Sequence, residues 1–249
     1  MKKDDNYVCG MDWTKKVKDY ELNNYRKYQY DLIGKYVGRE ILEVGSGEKG
    51  FTNEIVKNAR GIKRLVSIEP SKTLFKLHQK RFVFPKYVSF QMEDLFKLKD
   101  KTVGHFDTIL FIHVLEHIKE DIKAIEKAYE LLKPGGMILI EVPALPFLYS
   151  SHDKFLGHYR RYSKKYMLGL INRERFNVVD IWYQDFIGVL GSLLYFKFKK
   201  ITLGSGSGIN LVKNQGKFYD SYVVPFQKFV EKYIRPPIGL GLTVVLQKI

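Results

Sequence analysis

The sequence predicts an α/β protein in which a mainly parallel sheet carries helices on both faces. Short apolar runs alternate with stretches of helical periodicity between residues 40 and 143, which is the pattern of repeated strand–helix units. The pattern resumes after residue 163 and closes on a seventh apolar run at residues 240–247. With 249 residues, 45% of them hydrophobic, the chain is long enough for one sizeable domain.

The elements up to residue 143 follow in a regular order. An amphipathic helix comes first, because Tyr25, Tyr28, Leu32, Ile33 and Tyr36 recur at steps of three and four residues. Strands are then predicted at residues 40–44, 64–68, 87–91, 106–112 and 137–142, and helices between them at 51–58, 71–81 and 120–132. The sequence KPGG at 133–136 is expected to end the last of these helices.

The regular alternation breaks after Pro143. A polar and aromatic loop at 144–162 is followed by a predicted helix at 164–173 and a strand at 176–183. Residues 186–236 form an insertion with an apolar helix, a Gly/Ser turn at 204–208 and a second helix that ends at Arg235. We therefore expect a single domain over 1–249: a helical cap at 1–39, a core at 40–185 with the 144–162 substrate loop, a helical insertion or lid at 186–236, and a final strand within 237–249.

Composition narrows the class of protein. The chain has one cysteine, Cys9, so it can form neither an internal disulfide framework nor a cysteine-based zinc site, which suits a reducing cytosol. The N-terminal residues lack the apolar core of a signal peptide. The longest apolar stretch, at 186–196, is about half of the 20 residues that a membrane span needs. We expect a cytoplasmic protein, with peripheral contact to the inner face of the membrane left open.

The formal net charge of +15 leaves three interpretations open. A solvated, lysine-rich surface is the simplest, and an anionic substrate or an anionic membrane surface comes next. Nucleic acid is the least favoured partner, because the lysines are dispersed and form no dense tract.

A glycine-rich turn follows the first strand. Gly45, Gly47 and Gly50 satisfy the G-x-G-x-x-G spacing of a dinucleotide site, in which a phosphate lies on the backbone. Two acids point elsewhere. Glu43, just before the turn, faces a ligand ammonium better than a phosphate, and Glu69, after the next strand, is placed to bind ribose hydroxyls. A ribose and an ammonium group without a phosphate describe S-adenosylmethionine.

Five stretches between residues 41 and 143 resemble, in order, the motifs of class I S-adenosylmethionine-dependent methyltransferases. They are EVGSG, SIEPS, MEDL, FDTILFIHVLEHI and LLKPGGMILIEVP. The resemblance implies a Rossmann-like sheet of seven strands whose last strand, at 240–247, is antiparallel and lies beside the strand at 176–183. It also implies a cofactor site, with S-adenosylhomocysteine as product, formed by Glu43, Gly45, Ser46, Gly47, Gly50, Phe51, Glu69, Pro70, Ser71, Glu93, Asp94, Leu95 and His113. Either Glu93 or Asp94 would reach the adenine.

A looser resemblance covers the rest of the chain. The N-terminal helix, the D-x-x-x-G-H-Y-R-R-Y stretch at 153–162 and the closing strand after two prolines resemble a bacterial subgroup often associated with surface-glycan or lipid-glycan enzymes. This association is an analogy between folds and does not identify a substrate.

The sequence H-x-x-E-H at 113–117 also matches a zinc-peptidase motif, which needs both histidines on one helical face. Here it directly follows a strand, at the edge where open α/β sheets bind ligands, so a peptidase is disfavoured. The resemblance places His113 beside the cofactor and His117 near the methyl group. Some relatives with acid-x-x-Glu-His at this place bind a divalent metal. His113 replaces the first acid here, so we expect no metal, but a site at His113, Glu116 and His117 stays open.

The loop after the fifth strand supplies the remaining candidates, which are His152, Asp153, His158, Tyr159, Arg160 and Arg161. Adjacent arginines flanked by tyrosines are suited to grip a phosphate or carboxylate. Alternatively, one arginine pairs with Asp153 and only fixes the loop; both interpretations stay open.

Methyl transfer is an in-line displacement, so the protein mainly aligns the reactants and excludes water. His117 is the first candidate for the base and His152 the second. We expect O-methylation of a sugar, a phosphorylated or a lipid-linked intermediate. The alternatives are a metal-assisted, quinone- or RNA-directed methyltransferase and a non-catalytic cofactor-binding or interaction protein. The insertion is expected to act as a lid over the acceptor or to lie in a membrane interface with its lysines toward anionic headgroups.

Overall fold

One seven-stranded sheet organises the protein. A computed structural model describes residues 23–77, 82–98, 104–200 and 216–249. The strands are β1 (Glu40–Val44), β2 (Arg64–Ile68), β3 (Val88–Gln91), β4 (Phe106–Ile112), β5 (Leu132–Pro143), β6 (Phe176–Gln184) and β7 (Gly241–Lys248). Their order across the sheet is β3-β2-β1-β4-β5-β7-β6. Strand β7 runs antiparallel between β5 and β6, as predicted.

Helices cover both faces of the sheet. They are α1 (Asn23–Ile33), α2 (Gly50–Asn58), α3 (Lys72–Leu77), α4 (Asp121–Leu131), α5 (Ser151–Leu156), α6 (Lys164–Gly169), α7 (Phe186–Gly191) and α8 (Val224–Glu231). Successive residues of a strand point to opposite faces, so the central strands feed two separate cores. Ile41 and Leu110 pack with Ile33 of α1 and Ile55 of α2, whereas Leu42 belongs to the cluster that includes α4.

The parallel pairing brings the ends of the central strands to one edge. Val44 at the end of β1 is level with Ile68 of β2 and with Phe111 of β4. Strand β5 continues the alignment, with Glu141 level with Ile112. The loops that follow these strands therefore start side by side, which is where parallel α/β sheets form their ligand crevice.

Two predicted boundaries differ from the structure, and the predicted end of a third element, at residue 81, lies outside the described residues. The KPGG sequence ends α4, as expected, but these residues then bulge out of β5: Leu132 pairs with Phe106, and Met137 resumes the pairing at Thr108. Helix α6 ends at Gly169 rather than 173, because Asn172 forms a turn in which its carbonyl accepts bonds from Arg175 and Phe176. Helix α3 is described only to Leu77.

The insertion is helical on both sides of an undescribed stretch. Helix α7 continues as a wider, π-type helix over Ser192–Phe198, and a similar turn over Tyr219–Val223 precedes α8. The predicted Gly/Ser turn at 204–208 lies outside the described residues, as do Cys9 and the start of the helical cap. Within the described ranges, no helix is long and apolar enough to cross a bilayer.

Helix α1 and the insertion are joined by buried polar contacts. The carboxylate of Asp220 accepts hydrogen bonds from the backbone N–H groups of Asn24 and Tyr25, at 3.3 and 2.9 Å, and so caps α1 from the far end of the chain. The hydroxyl of Tyr28 donates to Glu231 of α8 and accepts from the backbone N–H of Asp185. These contacts hold the insertion and α1 together as one layer beside the sheet edge.

The approach to β7 offers a test of this arrangement. A Cβ atom on Gly239 would lie 2.1 Å from the carbonyl oxygen of Gln184, at the end of β6. We expect Gly239→Ala to lower the free energy of unfolding by roughly 2–3 kcal/mol, because backbone rather than a flexible side chain must move. Urea denaturation measures the loss. Gly169→Ala is the matched control, because nothing lies within 4 Å of its Cβ position; an equal loss in both variants would contradict the close approach.

Candidate functional site

A cavity of about 790 Å³ opens at the edge where the central strands end. The turns after β1, β2 and β4, the loop after β5 and the first helix of the insertion all contribute to its wall. The predicted residues that line it are Gly45, Gly47, Glu69, Pro70, Asp94, Leu95, His113, His117, His152, His158, Tyr159 and Arg161. The cavity thus joins the predicted cofactor motifs to the predicted substrate loop.

The glycine turn and Glu69 form one unit. Gly45 and Gly47 have positive φ angles of 75° and 47°, and a Cβ on Gly45 would lie 2.6 Å from the Val114 side chain. The two carboxylate oxygens of Glu69 accept hydrogen bonds from the backbone N–H groups of Gly47 and Ser71, each at 2.9 Å. The carboxylate is therefore held in place at the cavity wall, where it can still accept bonds from the hydroxyls of a ribose.

Glu43 does not line the cavity, which corrects the expectation that it faces a ligand ammonium. Its carboxylate is buried and accepts bonds from the Thr52 and Ser67 hydroxyls at 2.5 and 2.6 Å. Burial raises the pKa of Glu43 to about 7, against the opposing effect of those two hydroxyls. Glu43 therefore stabilises the glycine turn indirectly, because its hydrogen bonds connect β1 to α2 and β2.

Five further residues predicted for the cofactor site are also absent from the cavity wall, and packing explains two of them. A Cβ on Gly50 would lie 2.2 Å from the Arg26 guanidinium, so this glycine allows α1 to approach α2. Phe51 packs against the core cluster on the α1 side of the sheet. Ser46, Ser71 and Glu93 are the others.

Local hydrogen bonds account for most of the remainder. The Oγ atom of Ser71 accepts from the backbone N–H of Leu74 in α3, and Glu93 accepts from the N–H of Asp94. Ser46 is buried inside the turn. Of the two acids proposed for the adenine, only Asp94 borders the cavity, with its carboxylate capping the short helical turn that begins at Leu95.

His113 is held between two buried carboxylates. Its Nδ1 lies 3.3 Å from Glu116 and its Nε2 lies 3.2 Å from Glu141, and both acids are fully buried. Gln29 of α1 donates to the same Glu141 oxygen at 2.7 Å. Burial alone lowers the pKa of His113, but the bonds and charges of the two acids outweigh it and raise the pKa to about 10. His113 is therefore a fixed cation at neutral pH, not a base.

His158 is oriented by an ionised carboxylate. Its Nδ1 lies 3.1 Å from Asp153, and the same Asp153 oxygen accepts from Arg161 at 2.7 Å. These partners overcome the effect of burial and keep the pKa of Asp153 well below its usual range. The ionised carboxylate assigns the proton to Nδ1, so the Nε2 lone pair is available to accept a proton or bind a metal.

The two histidines predicted to act as the base, His117 and His152, are neutral and weakly basic. Burial lowers the pKa of His117 and that of His152 to about 4. His117 packs edge-on against His158, with ring centroids 4.7 Å apart. His152 is stacked on Phe196 of the insertion, at 4.2 Å and 13°. A base with a pKa near 4 is poorly matched to neutral pH, so His158 is the better candidate.

Neither arginine of the loop presents a free guanidinium. Arg160 lies 2.5 Å from Asp121 and donates to the carbonyl of Lys119 at 2.8 Å, and it is not among the residues of the cavity wall. Arg161 borders the cavity but is paired with Asp153, which also caps α5 through Ser150. The geometry thus favours the interpretation in which Arg161 pairs with Asp153 and fixes the loop over one in which the arginines bind an anion. Asp153 also orients the ring of His158.

Sequence reasoning missed Glu141, Tyr25 and Phe196 as residues of this region. Glu141 is the one acid of the apolar stretch MILIEV, and an acid inside a buried strand signals a polar partner at depth. Tyr25 and Phe196 line the cavity from α1 and the insertion, respectively. Both had been assigned to the apolar pattern of a helix, which cannot show which face meets a ligand.

A possible cation site lies among Glu116, His117 and His158, whose ligand atoms are within 4.8 Å of one another. This set differs from the sequence hypothesis of His113, Glu116 and His117. His113 carries protons toward both of its carboxylate partners, so it has no lone pair for a metal. His158, from a different loop, takes the third place.

The methyltransferase-domain family model matches residues 21–181 of the chain, which is about two thirds of it. The ubiquinone biosynthesis O-methyltransferase of Paracidovorax citrulli is 20% identical over 155 residues, covering 62% of this chain and 58% of that protein. The mitochondrial ubiquinone biosynthesis O-methyltransferase of Mus musculus is 29% identical over 107 residues, covering 41% and 28%. The chain spans less than two thirds of the length of these curated relatives.

Among solved structures, the fold is similar to that of N-methyltransferase NodS from Bradyrhizobium japonicum in complex with S-adenosyl-L-homocysteine. The TM-score is 0.56 at 13% sequence identity, over 98% of this chain and 99% of that chain. At this identity the likeness concerns the fold.

The buried carboxylate of Glu43 makes stability depend on pH. Its raised pKa means that the folded protein holds a proton which the unfolded chain releases above about pH 4.5. This group therefore destabilises the fold increasingly between about pH 4.5 and pH 7, and by a constant amount above that range. Glu43→Gln removes the charge and keeps an acceptor for Thr52 and Ser67. We expect the variant to gain roughly 2 kcal/mol relative to the unmodified protein between pH 5 and pH 8.

Urea denaturation of both proteins at the two pH values measures this gain, without cofactor. Glu130→Gln is the control, because that acid is on the surface of α4 and its side chain is 55% exposed. If Glu43→Gln shifted stability equally at both pH values, Glu43 would be titrating normally and its burial would have no energetic effect.

Proposed function

Because the chain belongs to the methyltransferase-domain family, we propose that it is an S-adenosylmethionine-dependent O-methyltransferase that acts on a small, lipid-linked acceptor with a free hydroxyl group. One observation carries the proposal: a single cavity is lined both by the glycine turn with Glu69 and by the oriented His158. A methyl donor and a proton acceptor can thus share one cavity. The family match also weakens the alternative of a non-catalytic binding protein.

The donor occupies the half of the cavity next to the glycine turn. Glu69, fixed by Gly47 and Ser71, receives the ribose hydroxyls, and the stretch at Asp94 and Leu95 borders the adenine. The fixed cation at His113 directly follows β4 and lines the same cavity, and its carboxylate partners are Glu116 and Glu141. The NodS structure, which holds S-adenosylhomocysteine on the same fold, supports this assignment.

Methyl transfer requires a hydroxyl oxygen aligned with the sulfonium methyl group. The sulfonium is already electrophilic, so the protein contributes alignment, exclusion of water and removal of one proton. His158 accepts that proton at Nε2, while Asp153 keeps Nδ1–H in place and stabilises the resulting imidazolium. His117 packs against His158 and limits the rotation of its ring.

The acceptor is inferred from the part of the cavity wall that does not belong to the predicted cofactor motifs. That part of the cavity includes apolar side chains from several elements, namely Ile118, Pro143, Leu156, Phe196 and Leu240. Because both loop arginines are engaged, a phosphorylated acceptor gains less support than a lipid-linked one. The names of the relatives point to O-methylation in quinone biosynthesis. The association with surface-glycan enzymes, and a sugar as the methylated group, stay predictions.

A second candidate function is the metal-assisted one, favoured by the cluster of Glu116, His117 and His158. A divalent cation held there would lower the pKa of an acceptor hydroxyl and make a separate base unnecessary. The two candidates use His158 differently: in the first it takes a proton, and in the second it ligates the metal.

Cofactor binding is testable by thermal stability. S-adenosylhomocysteine at a hundred times its dissociation constant is expected to stabilise the protein by about 2.7 kcal/mol. Glu69→Gln should remove most of the accompanying shift in Tm, because an amide nitrogen in place of one oxygen cannot accept bonds from the turn or the ribose. Glu93→Gln, next to the site but outside the cavity wall, is the control. A larger shift with NAD than with S-adenosylhomocysteine would contradict the assignment.

The role of His158 is tested with a prenylated catechol as acceptor. We expect His158→Ala to lower kcat by about 10²–10⁴-fold while the affinity for S-adenosylhomocysteine is unchanged. The exposed His105→Ala is the control. Chelation distinguishes the two candidate functions. If His158 accepts a proton, activity is retained in EDTA. If His158 ligates a metal, EDTA abolishes activity, magnesium or zinc restores it, and calorimetry shows metal binding that His158→Ala abolishes. If neither the prenylated catechol nor a prenylated phenol gave a methylated product, the proposed acceptor class would be overturned.

A further inference from the structure

The insertion exposes large apolar side chains in two regular rows. In the first helix, which starts at Phe186, these side chains are spaced four residues apart. In the second helix, which includes α8, the successive spacings are four, four, three and four residues. The side chains, each 46–74% exposed, are Leu190, Leu194 and Phe198 in the first row and Phe218, Tyr222, Phe226, Phe229 and Tyr233 in the second. Such spacing places each row along one helical face. We name these eight residues the apolar rows.

The opposite faces of the same helices are already occupied. In the second helix, Asp220, Val224, Gln227 and Glu231 repeat at helical spacing and face inward: Val224 and Gln227 are buried, Asp220 caps α1, and Glu231 bonds Tyr28 and Phe186. In the first helix, Ser192 and Phe196 line the cavity. Each helix thus has one face on the protein and one apolar face that no described residue covers.

The exposed charges that these two segments carry have one sign, and one of their lysines, Lys228, pairs with Asp31 of α1. Six lysines belong to the described parts of the insertion, Lys197, Lys199, Lys200, Lys217, Lys228 and Lys232. The acids of the same parts are Asp220 and Glu231, and both direct their carboxylates inward to other parts of the protein. The exposed surface therefore combines aromatic and aliphatic side chains with cations, without an exposed carboxylate on these two segments.

We propose that this surface docks on an anionic lipid bilayer and lies in its interface. Apolar side chains enter the headgroup boundary, and lysines pair with anionic headgroups. Within the described residues, neither helix is long and apolar enough to cross the bilayer. A second copy of this chain is a weaker fit, because two such surfaces facing each other would bring their lysines together.

Docking would also place the cavity next to the bilayer. The helix that bears Leu190, Leu194 and Phe198 on its outer face supplies Ser192 and Phe196 to the cavity on its inner face. A lipid-linked acceptor would then pass from the bilayer to His158 around a single helix. This step rests on the proposed function, whereas docking itself does not, so the test below uses neither methyl donor nor acceptor.

The test is sedimentation with phosphatidylcholine vesicles, with and without phosphatidylglycerol, at low and high salt. We expect the protein to pellet with the anionic vesicles and less so at high salt. Replacing Phe198, Phe226 and Phe229 by Ser should weaken binding by about tenfold or more. The triple variant Lys197→Glu, Lys199→Glu, Lys200→Glu should lose the preference for anionic vesicles.

The matched control makes the same change of charge outside the insertion, with Lys63→Glu, Lys86→Glu and Lys165→Glu at exposed positions of the domain. Retained binding of S-adenosylhomocysteine verifies that each variant is folded. If the unmodified protein did not bind S-adenosylhomocysteine, that result would count against the proposed function rather than against docking. Protein that stays in the supernatant with both vesicle types overturns the docking proposal. So does equal weakening by the control, or a dimer in light scattering that the serine variant converts to monomer without any vesicle binding.

Discussion

The site depends on one imidazolium placed between two buried carboxylates. Glu116 and Glu141 are both fully buried, and an uncompensated carboxylate at such depth would be strongly destabilising. His113 supplies the positive charge for both, and Gln29 adds a hydrogen bond from α1. This arrangement connects the end of β4, the turn after it, β5 and the N-terminal helix. It fixes the turn that presents His117 and the backbone on which the substrate loop packs, since Tyr159 donates its N–H to the carbonyl of Glu116.

The same charge arrangement divides the work among the histidines. His113 is kept charged and cannot act as a base, while burial keeps His117 and His152 neutral. The ionised carboxylate of Asp153 orients the ring of His158 through Nδ1. His113 differs in protonation from His117 and His152, because neighbouring carboxylates outweigh burial in the first case and not in the other two. The sequence motif at 113–117 contains two of the four histidines that line the cavity, but not His158, the proposed proton acceptor.

The insertion links this chemistry to a surface. Its first helix reaches the cavity with Phe196, which stacks on His152, while its outer face carries part of the apolar rows. Buried contacts of Asp220, Glu231 and Asp185 anchor both helices to α1 and to the end of β6. The predicted lid and the proposed membrane-facing surface would thus be two sides of the same helices, so these two hypotheses do not exclude each other.

The sequence by itself determined the sheet, its strand positions, the antiparallel last strand and the glycine turn with Glu69. These features follow from local periodicity and from short motifs, in which neighbouring residues carry the signal. Only the tertiary structure decided the roles of charged side chains, because their partners lie far away in the chain: Glu43 turns to Thr52 and Ser67, Arg160 to Asp121, and His158 to the neighbourhood of Glu116. It likewise decided which face of the insertion is covered. Periodicity shows that a helix has an apolar face, but only packing against α1 and the sheet edge shows which face remains exposed.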